Sequence, residues 1–250
     1  MSPSRAAARP GAQEWVPDGA DARRVDALAA AAHDCRGCEL WADATQVVFS
    51  HGPDDAALVL VGEQPGDRED REGEPFVGPA GRVLADALEA AGVDPDRVYV
   101  TNAVKHFRHE QRGRRRLHRT PDVSHVRACL PWLEAEVATV RPRVVVALGA
   151  TAARAVLGRP ARVTAERGRV LDAEEAASSP FAGPPSGGTG GTGGTSGTAD
   201  VPSPLVVVTT HPSALLRLRD RSGWDEAFDA LVADLRVAAD AAGLPARRGT

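Results

Sequence analysis

Four short runs of apolar, largely β-branched residues constrain the fold of this chain more than any other feature. They read ALVLVG, VYVTNAV, VVVALG and LVVVTT, and they lie at Ala57–Gly62, Val98–Val104, Val144–Gly149 and Leu205–Thr210. Continuous apolar runs, in contrast to alternating ones, are typical of strands that are buried on both faces of a parallel sheet. The runs therefore indicate an α/β protein.

Segments with helical spacing of apolar residues separate the four runs. We expect helices over residues 21–33, 79–91, 120–140, 150–157 and 223–242. Strands that alternate with helices favour right-handed crossovers and helices on both faces of the sheet. The sequence thus predicts a three-layer α/β/α sandwich around a central, mainly parallel four-stranded sheet.

Three segments fall outside this pattern. Residues 1–20 are rich in Ala, Pro and Gly, and we expect a disordered N-terminal tail there. A Gly/Thr-rich stretch at about 173–203 predicts a disordered insertion within a single domain that spans residues 21–242. The strand and helix after it are too little to fold alone, so a linker between two domains is disfavoured. We also expect residues 243–250 to form a disordered C-terminal tail.

Composition excludes several classes of protein. No apolar run approaches the ~20 residues that span a bilayer, and the first residues lack the apolar segment of a secretory signal. Three cysteines in 250 residues cannot form a disulfide scaffold, so their uneven placement points to a reducing compartment and to a metal site. We expect a cytoplasmic, nucleoid-associated monomer that does not bind membranes.

Basic residues cluster in one segment although the net charge is −4. Lys105 is the only lysine among 30 basic residues, and the segment from Lys105 to Arg119 holds seven basic residues against one acid, Glu110. Such a local cluster is typical of nucleic-acid contacts. A solvated arginine-rich loop is the alternative interpretation.

Polar motifs follow the ends of the predicted strands. GEQPGD lies at 62–67, TNAVKH at 101–106 and HPS at 211–213, with GEPFVGPAG at 73–81 between the first two. Open α/β sheets bind ligands at the carboxyl ends of their strands. An amide and an aromatic ring at such a place suit a flat heterocycle with donor and acceptor groups. A phosphate loop is disfavoured because GxxxxGK[ST] and a convincing GxGxxG are missing.

These motifs, with CLPWLEAE and HPSALLR, resemble the uracil-DNA glycosylase superfamily, close to its iron–sulfur family four. The resemblance covers about residues 35–235 without the Gly/Thr stretch. Two departures from family four resemble the UdgX branch. GEQPG replaces the usual GEAPG, and RRRLH at 114–118 is similar to the K-R-R-I-H loop of that branch, with Arg for Lys and Leu for Ile.

The resemblance implies that a uracil flips out of DNA into the crevice, as base-modifying enzymes require. Phe76 is expected to stack on the ring, Asn102 to recognise its Watson–Crick edge, and His211 to stabilise the carbonyl that gains charge as the glycosidic bond breaks. The same resemblance assigns catalytic roles to Glu63, Gln64 and Asp67, and a place beside the uracil to Gln64.

The UdgX-like loop implies an unusual end to the reaction. In an ordinary glycosylase water captures the sugar C1′, whereas in this branch a loop histidine does so and remains attached to the DNA. That histidine corresponds to His118, and Glu63 could accept the proton that leaves its ring. Neutral imidazole is a good nucleophile near pH 7. The partner is uracil-containing DNA, single-stranded at least. The expected DNA contacts are Lys105, Arg114, Arg115, Arg116, Arg119, Ser213 and Arg217.

Three cysteines suggest a metal centre. Cys35 and Cys38 form a CxxC, and Cys129 lies in a predicted helix. A [4Fe–4S] cluster usually needs four ligands, and the resemblance supplies His106 as the fourth. Zn²⁺ also suits a Cys₃His set, so zinc is the less favoured alternative.

Other functions remain open at this stage. A conventional multiple-turnover family-four glycosylase follows if the altered loop misplaces His118. A non-catalytic DNA-binding module and a zinc-stabilised hydrolase on the same fold are further alternatives. Taken alone, His118 has the features of a surface histidine, as do His109 and His125.

Overall fold

A six-stranded sheet forms the centre of the computed structural model, which describes residues 9–172, 174–182, 203–218 and 223–244. The order of its strands is β1-β3-β2-β6-β8-β7. In chain order they are β1 (Ser50–His51), β2 (Leu58–Gly62), β3 (Val98–Asn102), β6 (Val144–Leu148), β7 (Val170–Leu171) and β8 (Leu205–Thr209). Two further strands, β4 (His109–Arg112) and β5 (Arg115–His118), form a separate hairpin.

The four strands predicted from the apolar runs are confirmed. They are the inner strands β2, β3, β6 and β8, and they pair in parallel. The sheet nevertheless has six strands and not four, because β1 and β7 add antiparallel edges. Each of these edge strands is two residues long, which is too short to produce a recognisable pattern in the sequence.

Helices cover both faces of the sheet, as the three-layer prediction requires. The long predicted helices are confirmed, and α2, α6 and α7 are additional short ones. The helices are α1 (Val25–Ala32), α2 (Asp67–Glu72), α3 (Pro79–Ala91), α4 (Val123–Val140), α5 (Gly149–Leu157), α6 (Val163–Glu166), α7 (Pro212–Leu216) and α8 (Trp224–Ala241). None of the helices in the described part of the chain has the length and apolar character to cross a membrane.

Alternate residues of the central strand belong to two separate cores. Val59 and Val61 of β2 pack with buried side chains of α1, α4 and α5. Leu58 and Leu60 of the same strand pack with α3 and α8 on the opposite face. Both sets are buried because successive side chains of a strand point to opposite faces, and this explains the continuous apolar run in the sequence.

The N-terminal segment is ordered where the structure describes it. The amide of Gly11 donates to the carbonyl of Gly37 at 3.0 Å, and that of Ala12 donates to Ala128 at 2.8 Å. Ala12 is 1% exposed. The expectation of a disordered tail is therefore wrong for residues 9–20, because small residues allow the backbone to pack closely. Residues 1–8 lie outside the described residues.

Part of the predicted Gly/Thr-rich insertion is also packed. The hydroxyl of Ser179 donates to the carbonyl of Val156 in α5 at 2.6 Å, and Ser179 is buried. The expectation of disorder is wrong for residues 174–182, whereas residues 173 and 183–202 lie outside the described residues. At the C-terminus, the amide of Leu244 donates to Ala239, and residues 245–250 lie outside the described part.

Candidate active site

A crevice at the carboxyl end of the sheet brings an amide and an aromatic ring together over one glycine. A Cβ atom on Gly62, the last residue of β2, would lie 2.3 Å from Oδ1 of Asn102 and 2.7 Å from Cζ of Phe76. Both distances are far below a van der Waals contact, so only glycine fits there. The sequence prediction that Asn102 and Phe76 share one site is consistent with this geometry.

Phe76 is held in an unfavourable backbone conformation. Its φ is 60°, which is rare for a residue with a side chain. Gly81 of α3 makes this possible, since a Cβ there would lie 1.5 Å from the carbonyl oxygen of Phe76. Left-handed backbone costs roughly 1–2 kcal/mol for an L-residue. The unfavourable conformation thus occurs at the residue whose ring is expected to stack on the base.

Asn102 is a nearly buried residue whose side-chain amide has no hydrogen-bond partner among the described residues. Asn102 is 2% exposed. Its carbonyl accepts from Nζ of Lys105 at 3.0 Å, but none of the described residues forms a hydrogen bond with its side-chain amide. Buried polar groups normally have partners. An amide without one, facing a crevice, is suited to recognise the edge of a bound heterocycle.

His211 is oriented by the start of α7. Its Nδ1 accepts from the backbone N–H of Ser213 at 3.1 Å and lies 2.8 Å from the hydroxyl of that residue. The neutral ring therefore carries its hydrogen on Nε2. Gly149 allows the close approach of His211, because a Cβ at this positive-φ position (86°) would lie 2.9 Å from the Cβ of His211.

The environment of His211 keeps its ring neutral. Burial, together with the nearby His118 imidazole and the positive charge of Arg217, lowers the pKa of His211 to about 4. The imidazole is thus an uncharged N–H donor at neutral pH. Ser213, which we expected to contact DNA, contacts this ring instead.

The carboxylate of Glu63 lies close to the imidazole of His118. Oε2 of Glu63 accepts from the hydroxyl of Thr151 at 2.5 Å, and Oε1 lies 3.4 Å from Nε2 of His118. Burial and the charge of Arg217 lower the pKa of His118 more than the Glu63 carboxylate raises it. His118 is 48% exposed at the end of β5, so a neutral imidazole lies at the mouth of the crevice.

Gln64 holds both ends of the hairpin. Its Oε1 accepts from the backbone N–H of Arg108 at 3.0 Å, and its Nε2 donates to the carbonyls of Arg108 and Arg119, both at 3.2 Å. These bonds use both hydrogens of the amide. The side chain of Gln64 is thus committed to the hairpin in this structure, and its expected contact with uracil stays a prediction.

Arg116 fastens the middle of the hairpin to α2. Nε donates to Asp67 Oδ1 at 2.6 Å, Nη1 donates to Asp70 Oδ2 at 2.5 Å, and Nη1 also donates to the hydroxyl of Thr45 at 3.0 Å. The pKa of Asp67 is lowered, because hydrogen bonds from Arg116 and Arg71 outweigh the raising effect of burial. Asp67 therefore supports the hairpin, and its expected catalytic role stays a prediction.

The predicted DNA contacts differ in exposure and in their partners. Lys105 is 1% exposed and the side chain of Arg116 is 13% exposed, so both expectations are wrong: each of these cations is used inside the protein. Arg119 is half exposed and pairs with Glu110. The remaining predicted contacts lie at the surface without an ion pair among the described residues, and they are Arg114, Arg115 and Arg217.

The four predicted metal ligands line one small cavity. Cys35, Cys38, His106 and Cys129 surround it together with Lys105 and Trp132. Within the described ranges, no three His, Cys, Asp or Glu side chains converge closely enough to hold a single metal ion. The four donors therefore share a cavity without meeting at a point.

The surroundings of these donors fit a bound metal centre. Sγ of Cys35 accepts from the indole N–H of Trp132, and Sγ of Cys129 accepts from the backbone N–H of Lys105, both at 3.3 Å. Burial raises the pKa of Cys129 to about 12, so its thiolate form requires a compensating positive charge. Burial also lowers the pKa of His106 to about 4, which leaves the neutral imidazole that binds metals.

Sequence reasoning missed the residues that support the site from a distance. Thr151 fixes Glu63, and the fully buried Asp70 accepts from Arg116. Glu136 pairs with Lys105 inside the core. A weak signal existed for Glu136, since it is an acidic residue on the otherwise buried face of a predicted helix. Thr151 and Asp70 had no comparable signal.

The chain matches one protein family and several individual proteins. Residues 49–236 match the family model of the uracil DNA glycosylase superfamily. The chain is also similar to a type-4 uracil-DNA glycosylase of Thermotoga maritima, with 38% identity over 139 residues that cover 55% of this chain and 69% of the relative. A type-4 uracil-DNA glycosylase of Sulfurisphaera tokodaii is 37% identical over 116 residues, 46% of this chain and 50% of the relative.

The chain is also similar, at lower identity, to a protein that is not a type-4 glycosylase. A DNA polymerase of Bacillus phage SP01 is 27% identical over 134 residues, which are 14% of that protein. The chain thus spans about half to two thirds of the length of the type-4 relatives described above.

Proposed function

Because this chain belongs to the uracil-DNA glycosylase superfamily, we propose that it excises uracil from DNA and then captures the abasic site covalently through His118. One observation carries the excision proposal. Asn102 is 2% exposed as a residue, its side-chain amide has no partner among the described residues, and this amide lies with the ring of Phe76 over Gly62. This is a slot for a flat ring with hydrogen-bonding groups on its edge.

Uracil fits this slot by its chemistry. Its edge carries a carbonyl next to an N–H, and an amide supplies the complementary donor and acceptor. The ring of Phe76 provides the stacking face. A paired base cannot reach the slot, so the nucleotide has to leave the base stack first. Single-stranded DNA makes this easier, because no base pair has to be broken.

His211 supports the departure of the base. When the glycosidic bond breaks, its electron pair moves to the uracil and charge accumulates on a ring carbonyl. The Nε2–H of His211 is a neutral donor that stabilises this developing charge more than the ground state. Since its pKa is about 4, the donor keeps this state over the physiological pH range.

The capture step combines His118 with Glu63. After the bond between C1′ and the base has broken, the lone pair of a ring nitrogen of His118 bonds to the electrophilic C1′. The ring is then cationic, and the proton on its other nitrogen passes to the Glu63 carboxylate, 3.4 Å away in this structure. The lowered pKa of His118 supports this role, because the ring is neutral before the attack.

The hairpin supports the same proposal. Gln64 and Arg116 hold it at its ends and in its middle, so His118 is presented on a fixed strand. The exposed Arg114 and Arg115 near its turn, and Arg217 beside the two histidines, are available for phosphates. We propose that these three arginines orient the strand while the base enters the slot.

We further propose that Cys35, Cys38, His106 and Cys129 hold a [4Fe–4S] cluster. Zn²⁺ would also suit three cysteines and one histidine. The resemblance to the iron–sulfur family four favours the cluster over zinc. These ligands belong to the segment after α1, to α4 and to the loop after β3, so a bound cluster would link these three parts of the chain.

Denaturing electrophoresis after incubation with labelled uracil-containing single-stranded DNA tests the function. We expect a shifted band that survives heat and detergent. His118→Ala should abolish this band and leave uracil release, since water can then reach C1′. His109→Ala is the matched control, because His109 pairs with His118 across the same hairpin, and it should retain the band.

The other outcomes separate the alternatives. Alkali-cleavable abasic DNA without a shifted band would identify a conventional glycosylase and refute covalent capture. If neither abasic DNA nor free uracil is formed at enzyme excess, excision is refuted. The DNA-binding module is then the remaining interpretation.

A further inference from the structure

An ion pair lies fully inside the protein next to the proposed uracil slot. Lys105, the only lysine of the chain, follows β3, and Glu136 lies in α4. Their side chains are each 1% exposed, and Nζ of Lys105 donates to Oε2 of Glu136. The excision chemistry described above uses neither residue, so the presence of this buried pair calls for an explanation.

The ammonium group of Lys105 uses all three of its hydrogens. Besides Glu136, it donates to the hydroxyl of Thr101 at 2.6 Å and to the backbone carbonyl of Asn102 at 3.0 Å. It also lies 4.9 Å from the centre of the Phe49 ring. An ammonium group has three donors and no acceptor, so its position is fully determined by these partners.

Glu136 is fixed in the same way from the other side. Its Oε1 accepts from the hydroxyl of Tyr99 at 2.9 Å and lies 2.8 Å from the hydroxyl of Thr101. Tyr99 and Thr101 are alternate residues of β3, and both are buried. The carboxylate therefore ties α4 to the strand that ends in Asn102.

This network acts directly on the backbone of Asn102. The chain leaves the sheet after that residue, and the amides of Ala103 and Val104 donate to the carbonyls of Gly62 and Glu63. The carbonyl of Asn102 accepts from Lys105. Together these bonds fix the backbone on the C-terminal side of Asn102, and with it the direction of the Cα–Cβ bond from which the side-chain amide extends.

We infer that Lys105 and Glu136 form a positioning pair that aims the amide of Asn102 at the uracil edge. The inference rests on the proposed excision function. It assigns Lys105 a role inside the protein in place of the expected contact with DNA. Stability alone is a poor explanation for the pair, because replacing a buried ion pair with apolar residues of similar volume is often neutral or stabilising.

A set of three variants separates positioning from stability. Lys105→Met and Glu136→Leu each leave one charge buried without a partner, so both should lower the thermal unfolding midpoint. The double variant Lys105→Met/Glu136→Leu removes both charges and should recover most of that midpoint. We expect the double variant to release uracil at least tenfold more slowly than the wild type in single turnover, with wild-type metal content.

Two measurements exclude other roles. If Lys105 touched a phosphate, its loss would reduce the salt dependence of DNA affinity by about one unit of logarithmic slope. We expect that slope, measured with uracil-free DNA, to remain unchanged. Tyr99→Phe is the matched control, because it removes one hydrogen bond to Glu136 and keeps the ion pair, and it should release uracil at close to the wild-type rate.

Selective labelling gives a readout that does not depend on activity. Asn102 is the only asparagine of the chain, so ¹⁵N-asparagine produces the pair of NH₂ signals of a single side-chain amide in the NMR spectrum. We expect these signals to shift or split in the double variant and to stay in place in Tyr99→Phe. An inactive wild type would refute the proposed excision, while the NMR result would still decide the positioning. Wild-type release and an unshifted amide in the double variant would overturn the inference.

Discussion

The guanidinium of Arg116 reaches the carboxylate of Asp70 over 2.5 Å, and Asp70 is completely buried. Asp70 also accepts from the backbone N–H of Thr45 at 3.0 Å. The pair therefore joins the hairpin, α2 and the segment before β1 at one point. Because His118 lies two residues beyond Arg116 on the same strand, the pair fixes the strand that presents the proposed nucleophile.

Replacing Arg116 should separate capture from excision. Arg116→Met leaves Asp70 buried without a charged partner, which costs on the order of 3 kcal/mol in unfolding free energy. It also releases the strand that carries His118. We expect adduct formation to fall at least about tenfold, equivalent to about 1.4 kcal/mol of barrier, with a smaller loss of uracil release. The measurement is quantification of adduct and abasic DNA on one denaturing gel.

The control for this variant is Arg112→Ala. Arg112 lies in the same hairpin, is exposed, and pairs with Glu110. It should form adduct at the wild-type rate. Equal losses of adduct in both variants would show that the hairpin responds to any change of charge.

Gln64→Glu tests the second support of the hairpin. The substitution preserves size but replaces the donating NH₂ group with a carboxylate oxygen that faces the carbonyls of Arg108 and Arg119. Two hydrogen bonds of about 1 kcal/mol each are lost, and the oxygens repel one another. We expect slower capture at pH 7.5, measured by the adduct time course, with recovery as the introduced carboxyl group becomes protonated at lower pH. Capture at the wild-type rate would contradict the proposed role of Gln64.

His211 should make folding stability dependent on pH in a defined window. Its pKa is about 4 in the folded protein and about 6.5 when unfolded. Between these values the unfolded state binds more protons. Its contribution to stability is therefore complete above pH 6.5 and is lost as the pH falls towards 4. The contribution changes by up to about 1.4 kcal/mol per pH unit.

Urea unfolding of the wild type and of His211→Asn between pH 4.5 and 7.5 measures this effect. The variant should show a shallower decline of unfolding free energy towards acid. Parallel curves for the two proteins would mean that His211 titrates normally in the folded state.

Chemical modification tests the burial of Lys105. Lys105 supplies the only side-chain amine of the chain. An amine-reactive ester should therefore modify the native protein once, at the N-terminal amine, and modify it twice in denaturant. Mass spectrometry of the intact protein counts the modifications, and peptide mapping locates them. Rapid reaction of Lys105 in the native protein would contradict its position inside the core.

Removal of one proposed metal ligand should release the proposed cluster. Cys129→Ser should lower the iron content and the visible absorbance, and it should reduce the thermal unfolding midpoint because α4 loses its link to the CxxC segment. Elemental analysis distinguishes iron from zinc. His51→Ala is the control, since His51 is an exposed histidine that pairs with Glu74. Full iron content in Cys129→Ser would contradict the proposed ligand set.

The fold could be predicted where the sequence pattern is local. The runs at β2, β3, β6 and β8 are buried on both faces, so each is continuously apolar and recognisable without knowledge of its neighbours. The hairpin of β4 and β5 could not be predicted in this way. It has no apolar alternation, and residues distant in sequence, including Gln64 and Asp70, hold it in place.

The candidate site could likewise be predicted only where local motifs indicate it. Asn102 and His211 lie in motifs at the ends of strands, and Phe76 lies in the motif between the first two strands. The prediction that they share one crevice follows from the topology of the sheet. The role of Lys105 was misjudged because a count of charges along the chain does not reveal burial. Its partner Glu136 is 31 residues away. Gly11 and Ala12 likewise pack against residues that are distant in sequence.

The supports of the hairpin leave its turn unconstrained. Gln64 bonds to the residues just before β4 and just after β5, while the turn at Gly113 and Arg114 lies at the opposite end and is exposed. Insertions at the turn would therefore extend the reach of the hairpin without displacing His118.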